Sequence, residues 1–199
     1  MFPGAVVLVG RGGVVRKRAA YGYAALYRDS TERWPDPIAM GADTIFDLAS
    51  LTKVVATTTA ILQLAEAGKL ALDEPVATYL DGFAGADKRH ITVRHLLTHT
   101  GGLPADRPLY KQFHDAASII AAVGEVPVVS PPGVQVLYSD LGFIALGAIV
   151  TTVTGLSLDR YTAAHIFEPL GLRHTRYLPP DEWRPRIAAS EYQPDRGLV

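Results

Sequence analysis

At 199 residues, 48% hydrophobic and 20% charged, the chain is long enough for one domain with a real core and too apolar to be disordered. A formal net charge of −1 excludes the basic footprint of a nucleic-acid binder, since Arg16-Lys17-Arg18 is a lone cluster in a strand-like run. The absence of cysteine removes disulfides, thiolate metal sites and cysteine nucleophiles together, and leaves the redox compartment open.

The opening MFPGAVVLVGRGG has no basic n-region, so no signal peptide is expected and the localisation is otherwise open. Ala5 to Val9 and Val14 to Ala24 are β-rich runs around Gly10-Arg11-Gly12-Gly13, which predicts an N-terminal hairpin within residues 1–27. These glycines are not a dinucleotide loop, because no helical pattern follows and the third glycine of that motif is absent. Residues 28–43, with Trp34, Pro35 and Pro37, read as a loop, and Thr44 to Phe46 as a short extended entry to a helix.

That helix, residues 46–68, is FDLASLTKVVATTTAILQLAEAGKL up to its glycine stop at Gly68. Leu51, Val54, Val55, Thr58, Ile61, Leu62 and Ala65 form the expected apolar stripe, although the β-branched run VVATTT weakens helix propensity. Lys53 sits in it with no carboxylate one turn away. Residues three apart on a helix differ by about 60° in azimuth and about 4.5 Å in rise, so Ser50 and Lys53 form a hydroxyl–amine pair. Ser50 falls in the first turn, where the helix dipole favours developing negative charge. A desolvated lysine without a carboxylate is neutral often enough to take a proton, which makes Lys53 a candidate activator of a Ser50 nucleophile.

Beyond Gly68, residues 70–199 read as mainly helical. Asp73 is expected to cap Pro75 to Leu80, and Thr92 to cap Val93 to Thr98 with Gly101-Gly102 as the stop. A third apolar helix is expected over 115–123. Ser139 or Asp140 should cap Leu141 to Thr154, ended by Gly155, and Ser157 should cap Leu158 to Phe167. Leu141 to Val153, the longest apolar stretch, is too short to span a bilayer. Tyr138 is aimed from a loop fixed by Pro131-Pro132-Gly133, and its bland reading is a half-buried loop tyrosine. His95 and His99 have H-x-x-x-H spacing, but Leu96 stands where the zinc-peptidase motif has Glu, so no metal site is assigned. Asp73, Glu74 and the acids of residues 81–87 read as caps and solvated charges.

FDLASLTKVVATTTAILQLAEAGKLALDEPVATYL, ITVRHLLTHTGGLP and PPGVQVLYSDLGFIALGAIVTTVTGLSLDRYTAAHIFEPLGLRHTRY together resemble the serine beta-lactamase-related hydrolases: class C-type beta-lactamases, penicillin-binding DD-peptidases and allied esterases. The resemblance runs over nearly all of the chain. It implies an α+β beta-lactamase/transpeptidase-like fold, with an antiparallel sheet, flanking helices and a helical subdomain, as one domain over residues 1–199. It further implies a serine hydrolase acting through an acyl-enzyme on an ester, amide or beta-lactam carbonyl, with Ser50, Lys53 and Tyr138 catalytic and no cofactor or metal.

Two departures from the family's pattern qualify this. The second motif, usually Tyr-x-Asn, is Tyr138-Ser139-Asp140, and a carboxylate at the substrate-binding position Asp140 offers only acceptors and favours a protonated Lys53. The base role then leans toward Tyr138. Nothing after Tyr138 matches the third motif, Lys-Thr-Gly or His-x-Gly, so the chain reads as a truncated member lacking the C-terminal sheet strands and the second oxyanion donor. The expected partner is a small acyl substrate, with self-association through an exposed sheet edge. The rival expectation is a non-catalytic relative, a remnant serving as a binding module.

Overall fold

The computed structural model describes residues 2–29, 31–190, 192–193 and 197–198. The chain forms two compact units, one from residues 1–49 with 177–199 and one from residues 50–176.

In the first unit β1 (Gly4–Arg11) and β2 (Val14–Tyr27) form the expected hairpin, longer at both ends than the β-rich runs alone. Gly12 and Gly13 make the two-residue turn with φ of 58° and 74°, a pair of left-handed conformations that matches the twist of the flanking strands. The segment read as a loop contains a third strand, β3 (Arg33–Ala39), giving the antiparallel order β1-β2-β3. Pro35 and Pro37 mislead here. Among the described residues β3 pairs only with β2, and the pairing is bulged on either side of Ala25, so two residues without N–H groups cost no regular ladder bond. Ile45 makes the short extended entry as expected, in a single parallel bridge with Ile187. Asp47 then accepts the Ala49 N–H at 2.8 Å, and Ala49 takes the left-handed φ of 43° immediately before Ser50.

The second unit is helical. Its first helix, α1, covers residues 51–66, with a π-helical turn at Lys53–Thr58 running into regular helix at Thr59–Glu66. The wide turn falls on the β-branched run, and the Thr59 hydroxyl donates to the Val54 carbonyl five residues back at 3.0 Å. The predicted stripe is largely misplaced. Ala56, Thr57, Ala60, Ile61 and Leu64 are buried, whereas Leu51, Val54, Val55 and Leu62 are exposed, because the extra residue in the π turn rotates the two halves of the helix relative to a uniform period.

The helix α2 (Val93–Leu97) begins at Thr92, whose hydroxyl accepts the His95 N–H while the His95 ring accepts the Thr92 N–H, a reciprocal cap. Asp73 is no cap. Its carboxylate grips Arg94 with contacts of 2.6 and 2.8 Å, and Glu74 accepts the Tyr79 hydroxyl at 2.6 Å. Asp115 caps α3 (Ala116–Glu125). The central helix α4 (Asp140–Thr154) is capped by Ser139 and ends at Gly155 as expected, and Leu141, Phe143, Ala145, Leu146, Ala148, Ile149 and Val150 bury most of its circumference. It packs against α1, α2, α3 and α5 (Leu158–Thr162), which continues as a π turn over Ala163–Phe167.

Candidate active site

Two stretches of the second unit, residues 50–53 and 138–143, meet at Lys53. Its Nζ donates to Ser50 Oγ at 3.0 Å, so the pair read from helical spacing is formed. Its ammonium also lies 4.9 Å from the centre of the Tyr138 ring and 5.9 Å from that of Phe143. Asp140, the first residue of α4, places Oδ1 2.5 Å from the same nitrogen. The two form an ion pair.

That contact corrects the premise that Lys53 has no carboxylate. It lacks one along its own helix, but the acid arrives from a segment 87 positions on, taking 140 minus 53. The Lys53 side chain is 15% exposed and that of Asp140 44%. Burial pulls the ammonium down, yet the Asp140 carboxylate and the Tyr138 phenol outweigh it and hold Lys53 above the usual lysine range. A neutral Lys53 is therefore disfavoured at ordinary pH. For Tyr138 the direction is opposite: the Lys53 ammonium first, and then the Ser50 hydroxyl, pull its phenol below the usual tyrosine range, and the Asp140 charge partly offsets them. Of the two groups, the phenol is the one drawn toward losing its proton and the ammonium the one held to keep it. Tyr138 is 48% exposed and so open to a substrate.

Tyr138 is positioned by a second segment, residues 99–105, which runs beside residues 129–140. His99, Thr100, Gly102 and Ala105 carbonyls accept the N–H groups of Leu137, Gly133, Val129 and Asp140, each at 2.8 Å. Pro104 O accepts the buried Ser139 hydroxyl at 2.7 Å. Gly102, at φ 78°, lies so close that an added Cβ would meet Ser130 O. The run HLLTHTGGLP is thus the bed of the tyrosine loop, and its residues do more than stop a helix. In sequence His99 reads only as half of an H-x-x-x-H pair, because its partner Ser139 is 40 residues away. Only its place in that run could have pointed to it.

Among the described residues, no group of three or more His, Cys, Asp and Glu side chains is arranged to hold a metal ion. The side chains of the two candidate histidines are committed within the protein: His95 to the α2 cap and His99 Nδ1 to the Ser139 N–H.

The beta-lactamase family profile matches residues 1–199. The chain is 39% identical over 195 residues to an N-acetylmuramyl-L-alanine amidase of Bacillus subtilis (strain 168), an alignment covering 89% of this chain and 43% of that protein. Among solved structures it superposes on a class C beta-lactamase with a TM-score of 0.79 at 25% identity, covering 99% of this chain and 51% of the other. It also superposes on the octameric penicillin-binding protein homologue from Pyrococcus abyssi, with a TM-score of 0.76 at 27% identity over 99% of this chain and 46% of the other. The chain spans about half the length of the relatives it matches. With the profile matched from end to end and the fold shared, the chain belongs to the beta-lactamase family, hydrolases of the serine beta-lactamase and DD-peptidase type.

Proposed function

We propose that the protein is a serine acyl-transfer hydrolase in which Ser50 is the nucleophile, Tyr138 the general base and Lys53 a fixed cation. The observation that carries this reading is the short contact of Lys53 with Asp140 while the same nitrogen donates to Ser50 Oγ. An ammonium kept charged cannot take the Ser50 proton. It can stabilise both the Tyr138 phenolate and the oxygen of Ser50 as that proton leaves.

The Tyr138 phenolate then takes the proton as Oγ attacks the substrate carbonyl, and the resulting phenol returns it to the leaving amine or alkoxide as the tetrahedral adduct collapses. Water, deprotonated by the same phenolate, attacks the acyl-Ser50 ester, and the proton passes to Oγ. The position of Ser50 at the N-terminal end of α1 adds the positive end of the helix dipole to the same side of the reaction. Relatives named as an amidase, a beta-lactamase and a penicillin-binding protein homologue support an amide or strained-amide substrate. The carboxylate of Asp140 beside Lys53 makes the site more acidic in character than an asparagine would, which favours neutral or cationic acyl groups over anionic ones.

The test is the intact mass of the protein after exposure to a fluorophosphonate. One adduct on the wild type, lost in Ser50→Ala, is the expected result. Labelling that survives Ser50→Ala would assign the nucleophile elsewhere, and no labelling of the wild type would favour a non-catalytic relative.

A further inference from the structure

Helix α2 ends in an unusual way. With Thr98 as its C-cap, the His99 N–H donates to Leu96 O at 3.2 Å and the Thr100 N–H to His95 O at 2.8 Å, the paired bonds of a Schellman stop. The residue between them must be left-handed, and glycine is the usual occupant. Here it is His99, at φ 57°. A side chain in that conformation costs roughly 1–2 kcal/mol. Strain of this kind persists where the side chain is used for something else.

The use is visible around Tyr138. The N–H groups of both residues flanking it donate to His99: Leu137 to its carbonyl at 2.8 Å and Ser139 to its Nδ1 at 3.0 Å. The ring then lies against Tyr138, with centroids 4.5 Å apart, and against Phe143 at 5.0 Å. One residue therefore holds the tyrosine by the backbone on each side and by its ring. Glycine would stop the helix equally well and supply only the first of these contacts.

We propose that His99 is a positioning residue that clamps Tyr138 against Lys53 and Ser50, and that the left-handed strain is kept at this position for the sake of the ring. The clamp requires Nδ1 to accept, so the ring works in its neutral form. The charged groups facing it are Lys53 from α1 and Asp140 from α4, with the Tyr138 phenol on the loop. Burial first, and then the Lys53 charge, disfavour the imidazolium, with Asp140 partly opposing.

The inference rests on the proposed role of Tyr138, and two readouts separate them. The first variant is His99→Gly, which relieves the strain and preserves the helix stop while removing the ring. The second is His99→Asn, which tolerates left-handed backbone and restores a side-chain acceptor. In protein carrying 13Cζ-tyrosine, the Tyr138 signal is identified among the 9 tyrosines by its loss in Tyr138→Phe, and its titration is followed by NMR. His99→Gly should keep the wild-type circular dichroism spectrum and move the Tyr138 titration up toward the ordinary value of about 10. His99→Asn should bring the titration most of the way back. Fluorophosphonate labelling of Ser50 should slow on the order of 10- to 100-fold in His99→Gly, as for a misplaced catalytic group, and recover in His99→Asn. A Tyr138 titration unmoved in a folded His99→Gly protein would overturn the clamp. A shifted titration in a protein whose Ser50 is never labelled would support the clamp and sink the hydrolase reading instead.

Discussion

Asp140 is the residue on which the chemistry of this site turns. As a carboxylate 2.5 Å from Lys53 it favours the charged lysine, and that charge in turn pulls the Tyr138 phenol toward ionisation against the opposing effect of Asp140 itself. The consequence for pH dependence has a definite sign. In the proposed mechanism acylation needs Tyr138 ionised, so its rate rises with pH through the Tyr138 titration, and it needs Lys53 charged, so it falls again as the lysine deprotonates above its usual 10.5. The Asp140 charge raises the pKa of both groups. Asp140→Asn should therefore move the acidic and the alkaline limbs of the labelling rate to lower pH, which a pH–rate profile of fluorophosphonate reaction measures directly. A profile that does not move would reduce Asp140 to the first residue of its helix. Lys53→Met removes the cation altogether, and the same assay should show a loss on the order of 10² to 10³, as for a lost electrostatic stabiliser.

At the scale of elements, the site depends on how residues 99–105 lie beside residues 129–140. That approach is close enough to exclude a Cβ at residue 102, whose nearest neighbour would be a backbone carbonyl that cannot swing aside, and its φ of 78° is itself unfavourable for any other residue. Gly102→Ala is expected to destabilise the protein by about 2–4 kcal/mol or more, as overpacking and backbone strain add. Urea denaturation followed by circular dichroism measures this. Labelling of Ser50 should fall as well, since the displaced segment carries His99 and the bed of Tyr138. Much of this element structure was legible in sequence. Thr92, Ser139 and Gly155 mark helix ends by local chemistry, and the structure keeps all three. The end of α2 at Thr98 was legible as well, but the residue that makes the stop was not, because a left-handed histidine in a glycine's place gives no local signal and Gly101-Gly102 carries the usual one instead.

At the scale of the molecule, the three-stranded sheet of the first unit is the exposed feature. Leu8, Val9, Val14 and Val15 are 47–60% exposed, and of the described residues in β1 to β3 only Ala24 is buried. Apolar, β-branched strands with free edges pair with other chains. The protein should therefore self-associate with rising concentration, and Leu8→Lys should shift it toward monomer in light scattering coupled to gel filtration. A wild type that stays monomeric at high concentration would refute the edge as an interface.

The sequence by itself determined what depends on neighbours along the chain. The hairpin turn at Gly12-Gly13, the helix caps at Thr92 and Ser139 and the Ser50–Lys53 pair all follow from residues within four positions of one another, where backbone geometry leaves few choices. Tertiary structure decided what depends on distance: that Pro35 and Pro37 sit in an edge strand, that the buried side of α1 is Ala56, Ala60, Ile61 and Leu64, and that Asp140 and His99 close around Lys53 and Tyr138. The physical reason is the same in each case. The charge state of a lysine and the orientation of a tyrosine are set by groups within a few ångströms in space, and here those groups come from segments separated by 39 and 87 positions, taking 138 minus 99 and 140 minus 53.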